Sequence, residues 1–199
     1  AYGFSDRKIA TAAHDLRLFR NGQLIGYAEG KLAEAGGKPF QHTFRVRLPS
    51  GQAPLNFTAY AFNDDRVKSA TAQQSYTPPT AIAIGKPRAY LINVGVNRHD
   101  NPAWNLRYAA NDARQISQSL APLLENQKSY EEVVTIPLIS DTDAPNRATK
   151  ANIKAALDVL SGRKADVSAI PDGDKLRQAT PDDLVLISFS GHGFGEGGL

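Results

Sequence analysis

Two adjacent prolines, Pro78 and Pro79, separate two parts of the chain whose hydrophobic residues follow different periods. Two consecutive prolines cannot continue a helix or a central strand, so this position predicts a linker. Apolar and polar residues alternate in short runs before it, whereas strand-like and helix-like patterns follow one another after it. The sequence therefore predicts two domains, an all-β module at 1–85 and an α/β domain at 86–199.

The first part carries the signals of a small antiparallel β domain. Asn21-Gly22 stands between two apolar runs and supplies the two positive-φ positions of a type I′ hairpin turn. Residues 44–48 and 55–62 alternate apolar with polar side chains, which predicts strands with one solvent-facing side. Several short strands separated by turn signals favour an immunoglobulin-like sandwich.

The second part predicts a parallel sheet. Its strand-like runs are Ala89–Val96, Glu132–Ile139 and Leu184–Phe189. Between them lie two amphipathic helices, one with apolar residues at helical spacing from Ala109 to Leu124 and one capped by Thr149. Strand–helix–strand repetition predicts right-handed crossovers, so we expect a three-layer α/β domain with helices on both faces of the sheet.

Composition excludes several classes of function. The chain has 199 residues, a net charge of +3 and no cysteine. Its basic residues lie singly among acids without a nucleic-acid-binding signature, so we predict no nucleic-acid partner. No apolar stretch approaches the roughly 20 residues of a membrane span, and the first residues do not form a signal peptide. We expect a cytoplasmic location, and, because the first residue is not Met, a piece of a longer protein.

Two side chains are candidates for chemistry. His192 lies between Gly191 and Gly193, where the third predicted strand ends. The carboxyl ends of parallel strands are where catalytic groups collect, and imidazole exchanges protons near neutral pH, so His192 is either a general base or an ordinary loop histidine. Asp112 lies in the opening turns of the first predicted helix, where the amide dipoles favour an acid.

The order and spacing of these segments resemble the peptidase clan of caspases, metacaspases and bacterial caspase-like proteases. The resemblance runs from about Pro87 to the end of the chain. It is carried by the first strand Tyr90–Asn97, the Leu106…Asn111-Asp112-Ala113 helix start, the Thr149…Asn152-Ile153 helix start, and the Asp182-Asp183…Phe189-Ser190-Gly191-His192-Gly193 strand end. Asn-Asp-Ala is more similar to metacaspases and bacterial relatives than to animal caspases.

The resemblance implies a cysteine endopeptidase with a Cys–His dyad. It identifies His192 as the histidine of that dyad and Gly193 as the source of a backbone amide near the oxyanion site. Asp112 matches the acid that lines the substrate pocket in metacaspases, which implies cleavage after Arg or Lys. The dyad requires no cofactor. Calcium activates some metacaspases, but Asp141 and Asp143 are better explained as turn residues, and we predict no metal site.

The nucleophile is not in this sequence, because the chain contains no cysteine. In caspases the cysteine follows the histidine by about 50 residues, and this chain ends seven positions after His192. We therefore expect the cysteine in a part of the parent protein beyond Leu199. The expected partners are a protein or peptide substrate and either a complementary small-subunit chain or the C-terminal remainder.

Three alternatives remain at this stage. Residues 193–198 have the Gly-x-Gly-x-x-Gly spacing of a dinucleotide-binding loop. Residues 191–195 have the Gly-x-Ser-x-Gly spacing of a hydrolase nucleophile elbow, with Gly193 in place of the serine. The third alternative is a non-catalytic caspase-like scaffold that recruits partners through the β module, which a residue other than cysteine at the downstream nucleophile position would favour.

Overall fold

The structure, a computed structural model, describes residues 12–34, 41–83, 85–141 and 145–193. The chain divides into two compact units, Ala1–Ala83 and Ile84–Leu199. This division lies two residues before the end of the predicted β module. Each unit contains its own sheet, four-stranded in the first unit and three-stranded in the second.

The first unit is an antiparallel sheet in the order β2-β1-β3-β4. Its strands are β1 (Ala13–Arg20), β2 (Gln23–Ala33), β3 (Leu55–Phe62) and β4 (Ala72–Tyr76). The predicted hairpin is confirmed: β1 and β2 pair antiparallel across Asn21 and Gly22, whose φ angles are 49° and 83°. Asn and Gly tolerate these left-handed conformations, which match the twist of the flanking strands.

The expected sandwich is not seen, because the described residues of this unit form a single sheet. The predicted strand at 44–48 is wrong: this segment has no regular secondary structure and belongs to neither sheet. Its alternation is nevertheless real, because Phe44 packs against Gly26 of β2 while Arg45 is exposed. Strand β4 was not predicted, because its five side chains are all exposed and show no apolar alternation.

The second unit is a parallel α/β structure, as predicted. Its elements are β5 (Ala89–Val96), α1 (Ala109–Asn126), β6 (Val133–Ser140), α2 (Lys150–Leu160) and β7 (Leu184–Ser190). β5 is central, with β6 and β7 parallel to it on either side. The predicted cap of α2 is confirmed, since the Thr149 hydroxyl oxygen accepts a hydrogen bond from the Asn152 amide at 3.1 Å.

The two helices cover opposite faces of β5 and β6. Alternate residues of a strand point to opposite faces. Tyr90, Ile92 and Val94 belong to the buried cluster that contains Ala156 and Leu160 of α2. On the other face, the Asn93 side chain donates a 2.6 Å hydrogen bond to Ser117 of α1, and Gly95 lies against the start of the same helix.

The sheet was predicted to have helices over both of its faces. At β7 the face on the α2 side is not covered, so the three-layer prediction is corrected for this strand. In the parallel register Val185, Ile187 and Phe189 lie beside Tyr90, Ile92 and Val94, on the α2 side of the sheet. They are nevertheless 38%, 53% and 61% exposed. The outer edge of β7 has no strand partner among the described residues. Burial reaches both faces at the centre of this sheet but only one face at this edge.

Gly95 allows α1 to approach the sheet closely, which brings Asp112 to the carboxyl edge. A Cβ at this position would lie 2.6 Å from the Ala109 carbonyl oxygen and 2.8 Å from the Ala110 Cα. Both atoms are backbone and cannot rotate away, so we expect Gly95→Ala to lower the free energy of unfolding by about 3 kcal/mol. Urea titration followed by circular dichroism measures this change.

The matched control is Gly85→Ala, because a Cβ at Gly85 has no heavy atom within 4 Å. We expect this variant to unfold at the wild-type urea concentration. Equal stability of the two alanine variants would show that the approach of α1 to β5 does not require glycine.

Candidate active site

Three segments meet at the carboxyl edge of the parallel sheet. The loop 97–106 follows β5, the segment 191–193 follows β7, and α1 begins beside β5. Parallel strands direct their carboxyl ends to one edge, so side chains that are distant in sequence come together there. His192, Gly193 and Asp112 all belong to these segments.

Asparagine side chains organise the loop 97–106. The buried Asn97 accepts a hydrogen bond from the Ala110 amide at 3.1 Å, which satisfies one free N–H at the start of α1. Asn101 accepts from the Ala103 amide and begins the 3₁₀ turn Pro102–Trp104. Asn105 accepts from the His99 amide at 2.8 Å. The loop therefore has a defined course without a hydrophobic core of its own.

His192 is exposed, and its imidazole is fixed by this loop. Its Nε2 atom lies 2.8 Å from the carbonyl oxygen of Trp104. A carbonyl oxygen can only accept, so Nε2 carries the proton and donates. In the neutral ring the lone pair is then on Nδ1, which is the nitrogen able to take a proton from a nucleophile. The geometry suits a general base whose tautomer is set by a backbone acceptor.

Asp112 lies in a cleft beside the end of β7. The cleft has a volume of about 380 Å³ and is lined by Leu106, Arg107, Tyr108, Ala109, Asp112, Phe189, Ser190 and Gly191. Residues 189–191 directly precede His192, so the cleft borders the imidazole-bearing segment. Asp112 is in the first turn of α1 and is exposed, which leaves its carboxylate accessible to a ligand.

Arg107 lines the same cleft, which sequence analysis did not predict. Arg107 and Asp112 are both exposed, and no ion pair joins them among the described side chains. The cleft therefore offers one carboxylate and one guanidinium group to a ligand. The positive charge of Arg107 would oppose the binding of a basic side chain next to Asp112.

Gly193 is exposed, and a Cβ there would meet no heavy atom within 4 Å. The space around Gly193 thus does not require glycine. Its predicted role depends on its backbone amide, and that prediction stays a prediction. The glycine-loop and nucleophile-elbow alternatives depend on residues 194–198 and 195, which lie outside the described residues.

Asp141 has a structural explanation. Its carboxylate accepts from Asn97 Nδ2 at 3.3 Å and pairs with Arg114 Nη2 at 3.0 Å. It ties the end of β6 to the loop after β5 and to α1, and is more than a solvated turn residue. Asp143 lies outside the described residues. Within the described part of the chain, no group of three or more acidic or histidine side chains could hold a metal ion.

Comparison with family models, with curated proteins and with solved structures gives no match to this chain. The fold therefore establishes a class only: the described residues form a mixed α/β structure, with a parallel three-stranded sheet, an antiparallel sheet and two α-helices. In the described ranges neither helix has the length and apolar character needed to cross a membrane.

Proposed function

We propose that this chain is part of a cysteine endopeptidase of the caspase–metacaspase type, which hydrolyses peptide bonds after Arg or Lys. The parent protein supplies the nucleophilic cysteine beyond Leu199. The observation that carries the proposal is the juxtaposition at the carboxyl edge of the sheet. His192, held by a backbone carbonyl, adjoins a cleft whose accessible carboxylate is Asp112.

The proposed reaction proceeds through a thioester. His192 Nδ1 takes the proton of the cysteine thiol, and the sulfur attacks the carbonyl carbon of the scissile bond. The carbon–nitrogen bond then breaks as the imidazolium gives its proton to the leaving amine. A water molecule, deprotonated by His192, attacks the thioester and releases the carboxylic acid and the thiol. The Gly193 amide is proposed to donate to the oxyanion in both steps.

The chemistry of the cleft supports selection of basic residues. A Lys or Arg side chain of the substrate would place its charge near the Asp112 carboxylate, in a charge-assisted hydrogen bond. Tyr108, which is 72% exposed, offers an aromatic surface to the aliphatic stem. Arg107 would limit the affinity of the cleft, since it adds a like charge.

The uncovered face of β7 supports a sheet that continues in the parent protein. The connection from β5 to β6 contains α1. The connection from β6 to β7 crosses over β5 and contains α2, which lies on the opposite face of the sheet. Since such crossovers are right-handed, a further strand beyond β7 would place its connecting helix on the α2 face. That helix would cover Val185, Ile187 and Phe189, and the new strand would end at the same edge as His192.

The parent protein assayed on reporter peptides tests the proposal. We expect release of the reporter group after Arg and Lys but not after Asp, and complete inactivation by a thiol-alkylating reagent. Turnover after Asp with none after Arg would reject the assigned specificity. Absence of turnover after all three residues, with a residue other than cysteine at the downstream position, would favour the scaffold alternative.

A further inference from the structure

His99 lies against His192, and this contact was not anticipated from the sequence. The centroids of the two imidazole rings are 5.0 Å apart, and their planes are tilted by 48°. The two residues are 93 positions apart in the sequence, so only the fold brings them together. His192 is exposed, whereas His99 is partly buried.

The loop 97–106 provides both of these contacts with His192. The Trp104 carbonyl accepts from His192 Nε2 at 2.8 Å, and the His99 ring packs on the imidazole. The two contacting residues belong to one hydrogen-bonded turn, because the His99 amide donates to the Asn105 side chain and the Asn105 amide donates to the Pro102 carbonyl. A displacement of this turn would move both contacts together.

A hydrogen bond at Nε2 does not by itself set the orientation of an imidazole, because rotation about the bonded nitrogen changes the direction of the Nδ1 lone pair. A second contact on the ring removes this freedom and reduces the number of accessible side-chain conformations. Such a restraint matters for a general base, because proton transfer requires the accepting nitrogen to point at the donor.

The hydrogen-bonding capacity of His99 Nε2 is not used within the described residues. Its Nε2 is shielded from solvent and has no hydrogen-bond partner among the described residues. A buried polar atom without a partner is unfavourable, so an apolar ring of similar shape should be accommodated at this position. His99→Phe is therefore expected to fold, and it separates the effect of the ring from that of its nitrogen atoms.

We propose that His99 is a positioning residue for His192, and that its ring restrains the orientation of the imidazole and therefore the direction of Nδ1. The inference rests on the proposed function in naming His192 as the base. The contact between His99 and His192 involves only residues of this chain, so it can be tested whether or not the parent protein is a protease.

The first measurement is NMR of the ¹⁵N-labelled 199-residue chain, which reports the imidazole nitrogens of His192. We expect a slowly exchanging Nε2–H signal in the wild type and in His99→Phe, and loss of that signal in His99→Ala. The control is Asp100→Ala, since Asp100 is exposed in the same loop; it should retain the signal. Amide spectra of each variant show whether it is folded.

The second measurement is the kinetics of the parent protein. We expect His99→Ala to lower kcat about 10- to 100-fold with an unchanged KM, because the base is misdirected while the substrate cleft is intact. His99→Phe should restore most of kcat. A folded His99→Ala variant with wild-type imidazole signals would overturn the inference whatever the activity. Loss of the signal in a parent protein without peptidase activity would reject the proposed function but leave the positioning contact established.

Discussion

Replacing His192 by alanine in the parent protein is expected to lower kcat/KM on Arg-terminated reporter peptides by about 10⁴-fold. At neutral pH only a few per cent of an ordinary cysteine is thiolate, so loss of the base leaves the nucleophile largely protonated. The leaving amine also loses its proton donor. Because both chemical steps depend on one imidazole, this is the largest effect that the site predicts.

One control variant and one rescue experiment show whether the loss of activity is specific to the His192 imidazole. His42→Ala removes an exposed histidine of the first unit and should leave kcat/KM unchanged. Imidazole added to the assay buffer should restore part of the activity of His192→Ala, since it supplies a mobile proton carrier. Full activity of a folded His192→Ala variant would exclude His192 as the base and would remove the main support for the peptidase.

The elements of the second unit were predictable because their residues carry strong local signals. The run 89–96 is apolar except for Asn93 and forms the buried central strand β5. Thr149 has both the residue type and the position of a helix cap, and its hydroxyl performs that role. In the first unit Asn21-Gly22 was equally decisive, because few dipeptides adopt two consecutive positive φ angles.

The predictions for the first unit failed where the hydrophobic pattern of a segment does not match its strand pairing in the fold. The segment 44–48 alternates as a strand does, and Phe44 packs against Gly26 of β2, yet the segment belongs to no strand of the sheet. Strand β4 has no apolar alternation, because it pairs with β3 at the edge of the sheet and all five of its side chains are exposed. Periodicity reports which side chains are buried, and it does not report which backbones are paired.

The candidate site, too, could be predicted only in part from the sequence. His192 was predicted from its place after a strand, but the Trp104 carbonyl that orients it has no sequence signature, since any residue has a carbonyl. His99 and Arg107 come to the site through the course of the loop 97–106 and the start of α1. That course depends on asparagine side chains that accept hydrogen bonds from particular backbone amides, which a hydrophobic pattern does not reveal.

Asp112→Ala in the parent protein is expected to abolish turnover of Arg-terminated peptides, a fall in kcat/KM of about 100-fold or more. The carboxylate lines the cleft beside residues 189–191 and is the acid there that can pair with a substrate guanidinium. The first turn of a helix favours an acid, so the same change should lower stability by only about 0.5 kcal/mol. A large loss of activity with a small loss of stability identifies recognition of substrate.

Variants of two other charged residues test whether the effect of Asp112→Ala is specific to the cleft. Arg107→Ala removes the competing cation of the cleft and should raise kcat/KM on Arg-terminated peptides. Glu125→Ala removes an exposed acid at the far end of the same helix and should change nothing. If Asp112→Ala retains full turnover after Arg, or if all three variants change activity alike, the cleft does not select the basic side chain. Opposite effects of Asp112→Ala and Arg107→Ala would instead show that the charge balance of this cleft sets the specificity.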